Sequence, residues 1–298
     1  MSRFRFDGDP DDRFDDPRAI RRSRAPRRRP TRPEPDVFVD DRVPPGSSLS
    51  TYPSAAHGPS PVPAWVVTTG NAVDTDLGPI KTGKEADVHL LERRDPDSGR
   101  TCLLAAKRYR DAQHRMFHRD AGYLEGRRIR RSRETRAMAN RTSLGRQLIA
   151  QQWAATEFAT LGQLWSAGIP VPYPVQLDRT ELLLELIGDD GVAAPRLADL
   201  DADVGELDDL WQQCVEVLCA LGAAGLTHGD LSAFNVLVQD GRVVLIDLPQ
   251  VVDIVVNPQG LEYLLRDCHN ISAWFAKRGV AADADELRAQ ILASRPGP

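Results

Sequence analysis

Cysteines and long apolar runs are scarce in this chain, and each shortage limits the cellular location and the class of protein that can be expected. Four of the 298 residues are cysteine (Cys102, Cys214, Cys219 and Cys268), and none of them forms a C-x-x-C pair. No apolar stretch reaches the roughly eighteen residues of a membrane-spanning helix, so no membrane contact is expected. The N-terminus also lacks the apolar run of an export signal. Together these features predict a reducing, cytoplasmic location.

Apolar periodicity is missing from the first 64 residues. Residues 7–16 carry six Asp, residues 18–32 carry eight Arg, and proline is frequent from Pro26 to Pro63. Such a segment cannot bury enough apolar surface to offset the entropy of ordering it. We therefore predict a disordered, charged tail over residues 1–64. The apolar content of 41% over the whole chain is enough for a folded core in the remainder.

The most informative feature that is present is a pair of acidic residues. Asp230 lies within residues 228–235, which have the H-x-D-x-x-x-x-N spacing of a kinase catalytic loop, and Asp247 follows an apolar run. In phosphoryl transfer one carboxylate accepts the proton of the attacking hydroxyl, while the Asn and a second carboxylate hold the metal ions that bridge the phosphates. We therefore predict Asp230 and Asp247 as catalytic residues and Asn235 and Asp247 as metal ligands. The alternative is a buried Asp that caps a loop.

The segment between these two motifs predicts a hairpin. Residues 235–239 are apolar and β-prone, Asp240 and Gly241 are typical of a type I′ turn, and residues 242–246 read as a return strand. A tight hairpin would bring Asp247 back beside the start of the first strand. The spacing therefore predicts that the two metal ligands converge in space.

Two earlier segments are typical of nucleotide binding. Residues 77–91 read as strand, turn and strand, and Thr82 and Gly83 at the turn can hold phosphate through a hydroxyl and exposed amides. A plain hairpin explains this pattern as well. Residues 101–109 read as a strand with Lys107 in the position of the kinase lysine that neutralises the α- and β-phosphates. A solvated strand end is the alternative for this lysine.

A helix is predicted over residues 143–167. Glu157 lies on it, and if this side chain faces inward it would form an ion pair with Lys107; a surface charge is the alternative. The next apolar strand leads into a link where Glu185 and Ile187 are predicted to hold adenine through a backbone C=O and N–H. Further helices are predicted over residues 210–226, 258–277 and 283–293.

Between Lys107 and this helix lies an insertion rich in arginine, predicted as a flexible loop over residues 109–142. Residues 125–146 contain eight Arg and two Glu. Such a segment can bind RNA, a ribosomal partner or an acidic protein surface, or it can simply keep a mobile loop soluble. Ser132, flanked by arginines, is a candidate phosphorylation site, including for the protein itself.

The part of the chain after Asp247 is short for a standard protein kinase. Asp-Phe-Gly is replaced by Asp-Leu-Pro at residues 247–249, and no Ala-Pro-Glu anchor follows. These observations predict an α+β, bilobal, protein-kinase-like fold that lacks an activation segment. Its small, β-rich N-lobe would span residues 65–187, and a short, mainly helical C-lobe would span residues 188–298.

At this point the chain resembles the RIO family of atypical serine/threonine kinases, over roughly residues 74–279. The resemblance is carried by four motifs, at residues 82–88, 187–197, 228–235 and 266–271. It implies an enzyme that transfers phosphate from ATP, with Mg²⁺ or alternatively Mn²⁺, to a protein serine or threonine or to itself.

The resemblance also implies roles for individual residues. Asp230 would be the acid/base, Asn235 and Asp247 the metal ligands, Lys107 and Glu157 the ion pair, and Thr82 a phosphate contact. Some family members form an aspartyl-phosphate, which would make Asp247 an acceptor and the protein an ATPase switch.

Two positions depart from the family pattern. Gly229 stands where the family usually has Ala, and Lys81 stands where Ser is common. His-Gly-Asp is typical of aminoglycoside and choline phosphotransferases, so a small-molecule phosphotransferase is an alternative function. A second alternative is an ATP-gated module that binds RNA or protein through the arginine-rich loop.

Overall fold

The computed structural model describes residues 43–110 and 143–295. Residues 1–42 of the predicted tail and residues 111–142 of the predicted loop, including Ser132, lie outside the described residues. Within the described ranges an antiparallel sheet combines with a few helices, in agreement with the α+β class. None of the helices in these ranges is both long enough and apolar enough to cross a membrane.

The largest element is a seven-stranded antiparallel sheet in the order β1-β3-β4-β5-β7-β6-β2. Its strands β1 and β2 are separated by only six residues, yet they pair with opposite edges of the sheet. A flat sheet of this size would place its edges nearly 30 Å apart, at about 4.8 Å per strand, whereas that link spans at most ~25 Å. The sheet must therefore curl. The strands are β1 (Ser47–Leu49), β2 (Ala56–His57), β3 (Val73–Thr82), β4 (Ala86–Arg94), β5 (Thr101–Tyr109), β6 (Pro174–Asp178) and β7 (Glu181–Glu185).

The segment that contributes β1 and β2 differs from the predicted disordered tail. Residues 43–64 are ordered in the structure, so the prediction was wrong over this part. Polar contacts hold the segment: Gln176 Nε2 donates to Thr51 Oγ1 at 2.7 Å, and the Tyr173 hydroxyl donates to the Pro59 carbonyl at 2.9 Å. The missing apolar period misled the prediction because edge pairing and polar contacts, rather than a periodic apolar face, attach this segment.

A buried arginine lies inside the curl of the sheet. Arg93 is fully buried, and its Nε and Nη2 donate to the two carboxylate oxygens of Asp74 at 2.7 and 2.8 Å. Nη2 also donates to Gln176 at 2.8 Å, and the guanidinium lies 5.5 Å from the ring centroid of Tyr52. One charged group thus joins β3, β4, β6 and the N-terminal segment.

Besides short 3-10 turns, the described ranges also contain four α-helices and three short antiparallel ribbons. The predicted helices are confirmed, but α2 begins six residues before its predicted start because Asp203 and Glu206 form a capping box there. Trp211 and Phe275 pack edge to face in the core of this part, with ring centroids 5.2 Å apart. The elements are α1 (Ser143–Ser166), α2 (Val204–Ala223), α3 (Gly260–Ala276), α4 (Ala284–Ala293), β8 (Gly188–Asp189) with β9 (Val192–Ala193), β10 (Leu226–Thr227) with β13 (Val252–Asp253), and β11 (Val236–Gln239) with β12 (Arg242–Leu245).

Candidate active site

A cavity of about 660 Å³ lies between the curled sheet and the β11–β12 hairpin. Val88, Ala105 and Leu184 of the sheet line one side, and Leu237 and Ile246 line the other. Six of the predicted site residues line it: Gly83, Lys107, Glu157, Glu185, Ile187 and Asp247. The other three, Thr82, Asp230 and Asn235, are outside this lining. The cavity has the apolar walls and the few polar groups that are typical of a ligand site.

Lys107 is the centre of the polar part of the cavity. Its Nζ donates to Glu157 Oε1 at 2.7 Å and to Asp247 Oδ1 at 2.8 Å. Glu157 is 1% exposed, and it also accepts hydrogen bonds from the Tyr109 hydroxyl and, at 3.3 Å, from the Leu248 N–H. The structure thus places Glu157 inward, next to Lys107, and adds a second carboxylate on the same ammonium.

These contacts favour the charged forms of Lys107 and Asp247. Burial by itself lowers the pKa of Lys107, but Glu157 and Asp247 outweigh it and raise the pKa above its usual value. Burial raises the pKa of Asp247, but Lys107 outweighs it and lowers the pKa. Burial and Glu157 together raise the pKa of the Tyr109 hydroxyl well above its usual range, so that it stays a hydrogen-bond donor.

The predicted hairpin forms and brings Asp247 beside Asn235. β11 and β12 pair in register from Val236 opposite Leu245 to Gln239 opposite Arg242, and the Ile246 N–H donates to the Asn235 carbonyl at 3.0 Å. Their turn at residues 240–241 has positive φ at both positions, as a type I′ turn requires.

Asn235 links the hairpin to the loop that carries Asp230. Asn235 Nδ2 donates to the Asp230 carbonyl at 2.9 Å, and no contact in the described residues uses the side-chain oxygen of Asn235. Asn235 therefore holds the predicted catalytic loop through its side chain and the residue before Asp247 through its backbone carbonyl.

The loop that carries Asp230 is held from beneath by α3. Asp267 is 1% exposed and accepts three hydrogen bonds, from Thr227 Oγ1 at 2.8 Å, from the Gly229 N–H at 2.6 Å and from the Leu231 N–H at 2.9 Å. Asn270 donates to the Leu231 carbonyl at 3.1 Å. No role was predicted for Asp267 from the sequence, although its motif at residues 266–271 was part of the resemblance.

The backbone conformation and a close neighbour explain why glycine stands at position 229, where the sequence departs from the family pattern. Gly229 has φ +84°, and a Cβ on it would lie 2.1 Å from the carbonyl oxygen of Gln250. A side chain is therefore excluded both by the conformation and by the neighbouring turn that contains Gln250. On the other side of the loop, His228 is fully buried and its Nε2–H donates to the Ile246 carbonyl at 3.0 Å.

The turn between β3 and β4 forms where it was predicted. The Gly83 N–H donates to the Ala86 carbonyl at 3.0 Å, and a Cβ on Gly83 would lie 2.7 Å from that same oxygen. Lys81 at the end of β3 and residues 84–86 line the cavity on either side of Gly83, whereas Thr82 is outside the lining. Lys81 was noted from the sequence only as a departure from the family pattern.

The predicted adenine contacts lie at the end of β7. The Glu185 carboxylate accepts from the Tyr173 N–H at 3.0 Å, and burial raises the pKa of Glu185. The Ile187 carbonyl accepts from the Ala194 N–H at 2.8 Å. Among residues 43–110 and 143–295, the Ile187 N–H has no backbone partner, so it remains available to a ligand.

Comparison with known proteins gives the family. A model of the RIO domain matches residues 104–287. The RIO-type serine/threonine-protein kinase Rio1 of Haloferax volcanii is 36% identical over 217 residues, which are 72% of this chain and 68% of that protein. The serine/threonine-protein kinase RIO3 of Mus musculus is 30% identical over 229 residues, 74% of this chain and 42% of that protein. A probable RIO1 homolog of Encephalitozoon cuniculi is 39% identical over 152 residues, 50% and 38% of the two chains.

The chain therefore belongs to the RIO family, as its four motifs predicted. The match spans about two thirds of the Haloferax protein but well under half of the other two relatives.

Proposed function

We propose that this protein is an atypical serine/threonine kinase, which transfers the γ-phosphate of ATP to a protein hydroxyl or to itself. The observation that carries the proposal is the contact of Lys107 with both Glu157 and Asp247, at 2.7 and 2.8 Å. Lys107 lies on a strand, Glu157 lies on a helix 50 positions later, and Asp247 lies in a loop 140 positions after Lys107. Family membership supports the same activity.

In this proposal the adenine base occupies the apolar part of the cavity. Val88, Ala105 and Leu237 would contact its faces. The Glu185 carbonyl and the unpaired Ile187 N–H would make its two edge hydrogen bonds. A cavity of about 660 Å³ is large enough for a nucleotide, since ligand pockets range over about 300–1,000 Å³.

The phosphates would lie toward Lys107 and the turn at Gly83. The residues fit a magnesium ion at this end, because the Asp247 carboxylate and the Asn235 amide oxygen are the hard oxygen ligands that Mg²⁺ prefers. Within the described residues no group of three or more His, Cys, Asp and Glu side chains could hold a metal by itself. Phosphate oxygens and water would complete such a site, and the ion would neutralise charge on the phosphates.

Asp230 would accept the proton of the attacking hydroxyl. Asp267 and the side chain of Asn235 hold the backbone of its loop, which supports a fixed point from which the carboxylate extends. Fixed positioning of the acceptor is what phosphoryl transfer chiefly requires of a protein.

The two parts of the fold would act as the two lobes of a kinase that lacks an activation segment. The curled sheet with α1 would be the N-lobe, and α2 to α4 with the short ribbons would be the C-lobe. A cytoplasmic location is part of the proposal, and it is supported by the four cysteines, all of which are free thiols. A contact with RNA or a ribosomal partner through residues 111–142 stays a prediction.

The test is phosphate transfer by the variant Asp230→Asn. We expect transfer to fall at least a hundredfold, because the proton acceptor is lost, while the affinity for ATP changes less than about threefold. The matched control is Asp208→Asn, which removes an exposed carboxylate from α2. Equal activity of wild type and Asp230→Asn would contradict the assigned role.

Mass spectrometry after incubation with ATP separates the alternatives for the acceptor. Phosphate on serine or threonine supports the proposal. Phosphate on Asp247, or phosphate released only into solution, would indicate an ATPase switch instead. The backbone conformation at position 229 explains why this residue is glycine. The His-Gly-Asp sequence is therefore no longer an argument for a small-molecule acceptor.

A further inference from the structure

The cavity contains more cationic side chains than the proposed kinase roles use. Lys81, Lys84, Lys107 and Arg196 all line it. Lys107 is paired with Glu157 and Asp247. Among residues 43–110 and 143–295, neither Lys81 nor Arg196 forms an ion pair within 4.0 Å of a carboxylate. Two cations without their own counter-ions in one cavity indicate an anionic ligand.

Lys81 lines the cavity because β3 is irregular at this point. The pairing of β3 with β4 shifts register between Pro79 and Lys81, and both Ile80 and Lys81 line the cavity. In a regular strand two successive side chains point to opposite faces, so only one of them would do so. The irregularity therefore re-aims Lys81 toward the ligand, as β-bulges do near active sites.

Arg196 approaches from the other side of the cavity. It lies between β9 and the 3-10 helix Leu197–Asp199, and it forms an isolated β-bridge with Leu237, two residues beyond Asn235. The backbone of Arg196 is thus fixed to the same hairpin that ends at Asp247. Lys81 and Arg196 are carried by opposite walls and belong to the end of the cavity where Asp247 lies.

The charges of these residues are coupled. Burial and the nearby Arg196 lower the pKa of Lys81, and Lys107 lowers it further, while Asp247 raises it. At Lys81, the carboxylate of Asp247 therefore offsets the charges of Arg196 and Lys107 only in part. A polyphosphate chain would supply the missing negative charge.

We propose that Lys81 and Arg196 form a clamp across the cavity that binds the terminal phosphate of a nucleoside triphosphate and so selects triphosphate over diphosphate. The inference rests on the proposed function and assigns to this site its discrimination between ATP and ADP. Lys107 serves the inner phosphates in the proposed kinase arrangement, which leaves the clamp to read the outermost one. After transfer, loss of that phosphate would weaken the hold on ADP and favour its release.

The test is calorimetric titration of the full chain with ATP, ADP and adenosine, in Mg²⁺ and in EDTA. The variants are Lys81→Met and Arg196→Met, which keep length and remove charge, and the matched control is Lys277→Met at the end of α3. We expect each clamp variant to weaken ATP binding by roughly tenfold or more, from the loss of a charge-assisted hydrogen bond. Binding of ADP should change by less than about threefold and binding of adenosine should be unchanged.

The double variant shows whether the two side chains act together. If both side chains hold one phosphate, the second substitution should weaken ATP binding less in the single variant than it does in the wild-type protein. The reason is that the shared contact is already weakened. Equal weakening of ATP, ADP and adenosine, or no weakening, would overturn the clamp.

The titration also separates this inference from the proposed function. If wild type binds ATP and Lys107→Met abolishes that binding while the clamp variants bind like wild type, only the clamp is wrong. If wild type binds no nucleotide, both the clamp and the proposed function are wrong.

Discussion

Asp267 offers the sharpest test of how the fold supports the site. Its carboxylate accepts two backbone N–H groups and one hydroxyl, all buried. The variant Asp267→Asn keeps the shape but replaces one acceptor oxygen by an NH₂ group, which must face a donor. Each hydrogen bond to a charged group contributes about 1.5–3 kcal/mol, and a buried donor left unpaired costs a further ~1–3 kcal/mol. The expected loss in the free energy of unfolding is therefore ~2–5 kcal/mol.

This loss is measurable by urea denaturation because small domains have total stabilities of only about 5–15 kcal/mol. Phosphate transfer should fall as well, chiefly in kcat, since Asp267 holds the loop of Asp230 and does not line the cavity. Thr227→Val is the matched control: it removes one hydroxyl donor to the carboxylate and leaves no NH₂ group facing a donor, so it should cost about 1.5–3 kcal/mol. An Asp267→Asn variant as stable as Thr227→Val, with unchanged kcat, would refute the reasoning.

Three further predictions concern groups outside the cavity lining. Arg93→Met should lower the free energy of unfolding by about 3–5 kcal/mol because it leaves the buried Asp74 carboxylate without its cation. In urea denaturation, the double variant with Asp74→Leu should recover part of that loss. Burial raises the pKa of Asp76, but hydrogen bonds, chiefly from Arg108, outweigh it and lower the pKa from 3.8 to about 2. The stability from this group is present above about pH 4 and is lost toward pH 2, so Asp76→Asn should flatten acid unfolding over that window. Gly229→Ala should lower both thermal stability and kcat, because its φ of +84° and its close approach to a carbonyl oxygen leave no room for a Cβ.

The parts of the fold with strong local signals could be predicted from the sequence. The β11–β12 hairpin follows from an Asp-Gly turn between two short apolar strands, and it alone brings Asn235 and Asp247 together. Predicting the ion pair of Lys107 with Glu157 also required the kinase pattern, since the local sequence does not show which face of α1 is buried. The family and the kinase class were predicted from four motifs and are confirmed by the comparisons.

The parts that depend on distant partners could not be predicted in the same way. Strands β1 and β2 are three and two residues long and exist only because the edges of the curled sheet accept them. The place of Lys81 in the cavity lining depends on an irregular register in β3, which no pattern in the sequence predicts. The role of Asp267 depends on three donors located 36 to 40 positions earlier in the chain. For β1, β2 and Asp267 the deciding contacts are long-range and polar, whereas periodicity reports only local apolar faces.

Asp247 shows how the altered Asp-Leu-Pro motif can still present its carboxylate. The residue has φ +64°, a left-handed conformation that only Gly, Asn and Asp adopt at low cost. Leu248, which follows, is fully buried and donates its N–H to Glu157, so the chain must turn sharply between the end of β12 and this anchor. The turn falls on Asp247 itself, and it directs the carboxylate to Lys107 instead of along the strand. Because Asn tolerates the same conformation, Asp247→Asn would remove the charge while keeping the backbone, whereas Asp247→Ala would remove the charge and strain the turn together. The charge and the conformation of this residue are therefore separable requirements of the site.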